Sequence, residues 1–245
     1  MFTQELPRTV LQAYPSPDRS TRYNMIETKP FLDLFQFKGF QVQTIKCATT
    51  RKEQWLGHEK HRITLAHPDF SGNIGSPTIQ LINSSNGSSQ FELLLGFLTK
   101  VCSNGATLSR EHWHYQVRHI GKNNLDITQL TDSIFQGFEV VSSQVNKMHS
   151  KTLPIYDQWK MAEYAIGLKW ENKDIPFPIS SMLKGYRLEQ EDSTVWNIYN
   201  RVQENLIRGF EYQSGKRTRK TRAVKSVNAD TTLNQKLWDY ALALA

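Results

Sequence analysis

The spacing of hydrophobic residues changes character near residue 120. Before it the repeat is two. Phe40, Val42 and Thr44 alternate with Gln41, Gln43 and Ile45; His61, Ile63 and Leu65 alternate with Arg62, Thr64 and Ala66. Thr78–Ile82, Gln90–Leu95 and Trp113–His119 also read as strands, because a period of two puts one set of side chains on one face of a sheet. Turn-rich clusters separate them: Ser71-Gly72-Asn73, the NSSNGSS run Asn83–Ser89, and Ser103-Asn104-Gly105. Asn86-Gly87 and Asn104-Gly105 are turn dipeptides. The pattern predicts a mostly antiparallel sheet over 40–120.

After it the repeat lengthens. Ile127, Leu130, Ile134, Phe138, Val141, Val145 and Met148 step by three and four, one apolar stripe on a long helix. Pro154 starts a second helix through Trp159, Ala162, Ile166 and Trp170, ended by Pro176 and Pro178. Asp192, Ser193 or Thr194 caps a third, with core positions Val195, Ile198, Val202 and Leu206 and a stop at Gly209. Asp230 or Thr231 caps a last helix carrying Leu233, Leu237, Tyr240 and Leu244. A short helix Phe31–Lys38, with Pro30 in its first turn, precedes the sheet and stops at Gly39. Residues 1–28 lack a period and contain Pro7, Pro15 and Pro17, so they read as a loosely attached arm. The expectation is one α+β domain over 29–245, sheet at 40–120 and helices at 124–245.

Charge adds a feature the hydrophobic pattern does not contain. The 245-residue chain has 30 basic and 23 acidic side chains, net +7. The run 216–225, KRTRKTRAVK, holds Lys216, Arg217, Arg219, Lys220, Arg222 and Lys225 with no acid. Without those six cations the balance is 24 against 23, or +1. A local cluster of this kind is the electrostatic footprint of a phosphate-backbone binder. It is expected in a basic loop, 210–229, between the last two helices. On the preceding helix Asn197, Arg201, Glu204, Asn205 and Arg208 share one polar face, which reads as a solvated surface with an Arg201–Glu204 pair, or as a nucleic-acid contact. Tyr199 and Tyr212 flank the loop and are candidates for stacking on bases, with packing as the plainer role.

Other chemistry is less well supported. His112 and His114 have strand spacing, and His58 and His61 stand three apart, but no cysteine pair or carboxylate accompanies them at metal-ligand spacing. No nucleophile-elbow, phosphate-loop or dinucleotide motif is present, and no carboxylate cluster suggests a two-metal nuclease. No cofactor or metal is expected. The NSSNGSS run can cradle an anion with backbone amides, or simply turn a hairpin. Cys47 and Cys102 read as reduced thiols of a cytoplasmic protein. The most apolar run, Phe91–Cys102, is much shorter than the roughly 20 residues of a membrane span, so no membrane partner is expected.

Several strings occur together in order: Leu81-Ile82-Asn83-x-x-x-Gly87-Ser88-Ser89, Val101-Cys102-Ser103-Asn104-Gly105, Val117-x-His119-x-Gly121, the run from Asn200 to Gly209, Arg217-Thr218-Arg219, then Asn234 and Trp238. Together they resemble the phage/plasmid-like family catalogued as domain of unknown function 932, over about residues 29–245. The family pattern usually reads N-S-H-D-G-S-S where this chain has NSSNGSS, so Ser85 and Asn86 replace a His and an Asp. His61 and His119 are the histidines at positions matching the family. The resemblance implies an accessory protein of a mobile element. The resulting expectation is a homo-oligomeric DNA-binding protein, single-stranded DNA being the favoured partner, in recombination or annealing. Its contacts would be the six cations of 216–225 with Arg201, Asn205, Arg208 and Tyr212. The alternatives are an anti-restriction or anti-defence protein that binds a host protein, and a metal-dependent nuclease built around His61 and His119.

Overall fold

The computed structural model describes residues 5–99, 105–108, 113–121, 127–171, 174–186 and 192–245, with only the backbone of 127–129. Cys102, Ser103-Asn104 and His112 lie outside the described residues. The chain divides into two compact units, residues 1–141 and 142–245, with the boundary inside a helix. The six-stranded sheet lies in the first half and most helices in the second, the α+β class expected from the two periods.

In the first unit a helix α1 (Thr28–Phe37) leads into β1 (Gln41–Cys47), β2 (His61–Ala66), β3 (Gly75–Asn83), β4 (Phe91–Thr99), β5 (Ala106–Thr107) and β6 (His114–Val117). The strands are antiparallel in the order β1-β2-β3-β4, and β5 and β6 share the outer edge of β4. The register aligns Ile63 with Leu81 and Leu93, and Leu65 with Ile79 and Leu95. These six form one apolar face, almost completely buried. Helix α1 covers it through Phe31, whose ring lies 4.5 Å from that of Phe91. Helix α2 (Ile127–Ser150) covers it through Gly137: a Cβ there would lie 2.6 Å from Leu95 Cδ1, so only glycine permits this approach. The stripe Leu130, Ile134, Phe138, Val141, Val145 and Met148 is buried along α2, as its spacing predicts.

The opposite face of the sheet is polar and still buried. Arg62, Thr64, Thr78, Gln80, Glu92 and Thr107 each lie below a tenth of their full exposure. Gln80 donates to the Ala106 carbonyl at 3.0 Å and accepts from the Thr107 hydroxyl at 2.8 Å, so its buried amide is satisfied on both sides.

Residues 5–28 correct the expectation of a loose arm. Val10 is fully buried, and Thr9, Ser16, Ile26 and Thr28 are nearly so. The segment is a strap over the strand ends, anchored by individual side-chain and backbone hydrogen bonds rather than by an amphipathic face. Periodicity carries no trace of such anchoring.

The second unit contains α3 (Ile155–Trp170), a 3-10 turn (Ile179–Leu183), α4 (Val195–Arg208), β7 (Glu211–Ser214), β8 (Arg217–Lys220) and α5 (Val227–Leu244). Thr194 caps α4, its hydroxyl accepting from the Asn197 N–H. Helix α3 stops at Trp170, before the two prolines, with Glu171 in the left-handed region at φ 47°. Ser226 caps α5, four residues before the expected Asp230. Asp230 and Thr231 are buried inside the helix, where Asp230 Oδ1 accepts from Asn234 Nδ2 at 2.7 Å. Helix α4 packs against α3, α5 and the 3-10 turn. Twelve of its fourteen residues are buried, so it is a central helix rather than a surface one. Among the described residues no helix is long and apolar enough to cross a membrane.

Candidate functional site

The first half of the basic run, 216–220, folds into a β-hairpin with Glu211–Ser214 instead of the expected loop, and Arg222 and Lys225 follow it. Glu211 pairs with Lys220, Tyr212 with Arg219, Gln213 with Thr218 and Ser214 with Arg217. Gly215 and Lys216 form a two-residue turn, with Gly215 at φ +62°. Glycine first in a two-residue turn is the sequence signal for this hairpin. It is easily missed here because only one of the strand residues, Tyr212, is apolar. All four residues of β8 are exposed, as are Lys216, Arg222 and Lys225.

The base of the hairpin is firmly held. Thr221 donates its N–H to the Phe210 carbonyl at 3.0 Å, and the Thr221 hydroxyl accepts from the Phe210 N–H at 2.9 Å. The Val224 N–H bonds the Ile207 carbonyl at 2.7 Å. Lys169 Nζ donates to the Leu206 carbonyl at 2.6 Å and the Arg222 carbonyl at 2.8 Å, tying the end of α4 to the exit of the hairpin. Burial lowers the pKa of this amine to about 8, and its neutral form still has the two donors both bonds need. Gly209, at φ +74°, lies so close to Thr221 that a Cβ would stand 2.4 Å from its carbonyl oxygen. The ribbon is therefore presented on a rigid mount.

Alternation and register divide the ribbon into two faces. Tyr212, Ser214, Arg217 and Arg219 lie on one; Glu211, Gln213, Thr218 and Lys220 lie on the other. Tyr212 is half-buried, its ring 5.5 Å from Phe177 and 6.5 Å from Phe210. It buttresses the ribbon. Tyr199 is fully buried, with its ring 5.7 Å from both Trp196 and Trp238, which removes it as a base-stacking residue.

The polar residues of α4 do not form an extension of this surface. Asn205 is completely buried, and its amide donates to the carbonyls of Met182 and Lys184, both at 3.0 Å. It fixes the 3-10 turn to α4 and has no access to a partner. Glu204 is buried and accepts from Arg208 at 3.1 Å, so its ion-pair partner lies four residues after it, in place of the expected Arg201. Arg201 reaches backwards and donates to the Asp192 carbonyl at 2.8 Å. Arg201 and Arg208 are half-exposed. The physical reason is that polar spacing on a helix does not reveal whether solvent or a carbonyl-rich turn covers it.

A second polar cluster, in the first unit, was only partly visible in sequence. Three histidines hold the strap. His61 is buried between Thr9 Oγ1, 3.2 Å from Nδ1, and Thr28 Oγ1, 2.9 Å from Nε2. His119 Nδ1 accepts from the Ile26 N–H at 3.1 Å. His58 Nε2 lies 3.2 Å from the Gln12 amide nitrogen and Nδ1 lies 2.9 Å from Ser85 Oγ. With Gln12 donating, the neutral His58 carries its proton on Nδ1 and donates to Ser85. Burial lowers all three pKa values, that of His61 to about 4. Ser85 and Asn86 serve the loop itself: Asn86 Oδ1 accepts from the Ser88 N–H at 3.0 Å, and the Ser85 carbonyl accepts from the Ser16 N–H at 2.9 Å. Beside them, bonds from Arg19, Ser16 and Trp55 hold the Asp18 carboxyl well below the usual carboxylate range. His61 and His119 thus occupy buried anchoring positions. Among the described residues no group of three histidine, cysteine or carboxylate side chains is arranged to hold a metal ion.

Sheet, helices and cationic ribbon together define an α+β protein with a β-hairpin set between its last two helices. The family model described as "Domain of unknown function (DUF932)" matches residues 17–238, and the chain belongs to that family. It is similar to two Escherichia coli K12 proteins. UPF0380 protein YfjQ is 32% identical over 229 residues, covering 92% of this chain and 84% of the relative. UPF0380 protein YafZ is 31% identical over 228 residues, with the same coverage. No solved structure matches.

Proposed function

We propose that the protein binds nucleic acid through its basic hairpin, as a DNA-binding accessory protein of a phage or plasmid. One observation supports this most directly: β8 is exposed along its whole length, and three of its four residues are Arg217, Arg219 and Lys220. A two-stranded ribbon is narrow enough to follow a nucleic-acid backbone or enter a groove. Lys216, Arg222 and Lys225 extend the same positive field beyond the strand. Exposed cations gain little from one another and much from phosphates, because each phosphate contact releases a counterion. The half-exposed Arg201 and Arg208 belong to the helix that supports the ribbon, Tyr212 buttresses the ribbon, and Asn205 fixes the 3-10 turn to that helix.

The test is binding of labelled single- and double-stranded DNA to the wild type and to the Arg217→Ala/Arg219→Ala/Arg222→Ala variant. The variant is expected to bind at least tenfold more weakly on the scale of phosphate contacts. Equal affinity of variant and wild type for both DNAs overturns the reading and favours a protein partner. Light scattering with and without DNA tests assembly: growth of the particle on single strands is the outcome expected of an annealing protein.

A further inference from the structure

The hairpin face opposite Arg217 and Arg219 lines a groove of about 500 Å³, within the range of small-ligand sites. The hairpin contributes Glu211, Gln213 and Thr218, together with Tyr212 from the other face; the other wall is Pro178, Ser181 and Lys184 of the 3-10 turn and its flanks. Gln213 Nε2 donates to Thr218 Oγ1 at 2.9 Å across the strands, which fixes that wall. The groove therefore offers hydroxyls, an amide, an ammonium and a carboxylate within a few residues of the exposed cations. The carboxylate is informative. Glu211 repels a phosphate but accepts N–H donors, such as the exocyclic amines of nucleobases. Lys220 stands opposite it in register and balances its charge without removing its capacity to accept.

We infer that this groove seats an unpaired nucleobase while Arg217 and Arg219 hold the adjoining phosphates, so that the ligand is a single-stranded nucleic acid. The inference rests on the hairpin being the nucleic-acid interface and adds the class of strand it takes. In a duplex the amines that Glu211 would meet are largely engaged in base pairing, and the bases stay stacked. In a single strand a base swings out freely, and its polar edge reaches one side of the ribbon as its phosphate lies on the other. Strand recognition is thus divided between the two faces: charge on one, base edge on the other.

The experiment compares four ligands at one salt concentration: a mixed-sequence DNA strand, the same sequence as RNA, an abasic strand of equal length, and a DNA duplex. The wild type is expected to bind the base-containing strands about tenfold or more above the abasic strand. In Ser181→Trp, which fills the groove, that preference is expected to vanish while the salt dependence stays. Thr218→Trp fills it from the other wall at an exposed position, so a folding defect at Ser181 does not decide the matter. The tighter of the DNA and RNA strands identifies the sugar that the site accepts. Equal binding of abasic and base-containing strands, or a base preference unchanged in both tryptophan variants, overturns the inference. If the triple arginine change weakens binding in that case, the hairpin remains the interface and only the groove reading falls.

Discussion

Strand β8 and helix α4 are both rich in polar side chains, lie in the same unit, and are separated by only eight residues. They use polarity in opposite ways. Every residue of β8 faces solvent, whereas Asn197, Gln203, Glu204 and Asn205 of α4 are buried and bonded. The three strap histidines of the first unit resemble α4: each has a polar partner and little or no water. The cations of β8 are left outside, where a ligand can reach them. Amides and imidazoles that match a carbonyl, hydroxyl or N–H are taken inside, where their loss leaves a partner unsatisfied. Buried polarity should therefore govern stability, and exposed polarity should govern binding.

The largest expected effect is on the buried side. The His61 pKa falls from its ordinary 6.5 to about 4, so the folded chain binds fewer protons than the unfolded one between those values. Its stabilising contribution is fully present above pH 6.5 and is lost as pH falls to about 4. The difference is about 3 kcal/mol. Denaturant titrations of the wild type and His61→Gln across that range check it: the wild type should lose stability more steeply. Burial lowers the His119 pKa as well, and its protonation should remove the acceptor at Nδ1, so amide exchange at Ile26 should quicken once acid protonates that ring.

Asn205→Leu comes next. It leaves the Met182 and Lys184 carbonyls without their amide donor, and a loss of about 2–3 kcal/mol is expected in chemical denaturation. Were Asn205 a surface contact, the change would be nearly silent. Lys169→Met removes two donors at the base of the ribbon. It should cost about 1–2 kcal/mol and speed amide exchange at Thr221 and Val224, which report whether the mount has loosened. The smallest expected effect is that of the triple arginine change on stability, within about 0.5 kcal/mol, because those side chains touch little of the protein. A large destabilisation would break the division between buried and exposed polarity.

Periodicity made the elements built on apolar faces legible. The α2 stripe begins at Ile127, the helix's first residue, and the alternation at 61–66 coincides with β2. Thr194 followed by Val195 and Ile198 marked the start of α4. The same logic does not reach elements held by individual hydrogen bonds. The strap depends on Thr9, Gln12, Ile26 and Thr28 meeting three histidines more than 25 residues away in sequence, and no local pattern encodes that. The hairpin was hidden because its strands bury almost nothing, leaving Gly215-Lys216 as its main signal. On α4, Asn205 and Arg208 have the same helical spacing on paper, yet one bonds two carbonyls in the interior and the other is half in water.

The central claim, that the ribbon meets phosphates, is tested most directly by the salt dependence of single-stranded DNA affinity. If all six cations of 216–225 contact phosphates, log affinity falls against log salt with a slope of about −4 in the wild type and about −2 in the triple arginine variant. The same slope in both proteins contradicts the claim.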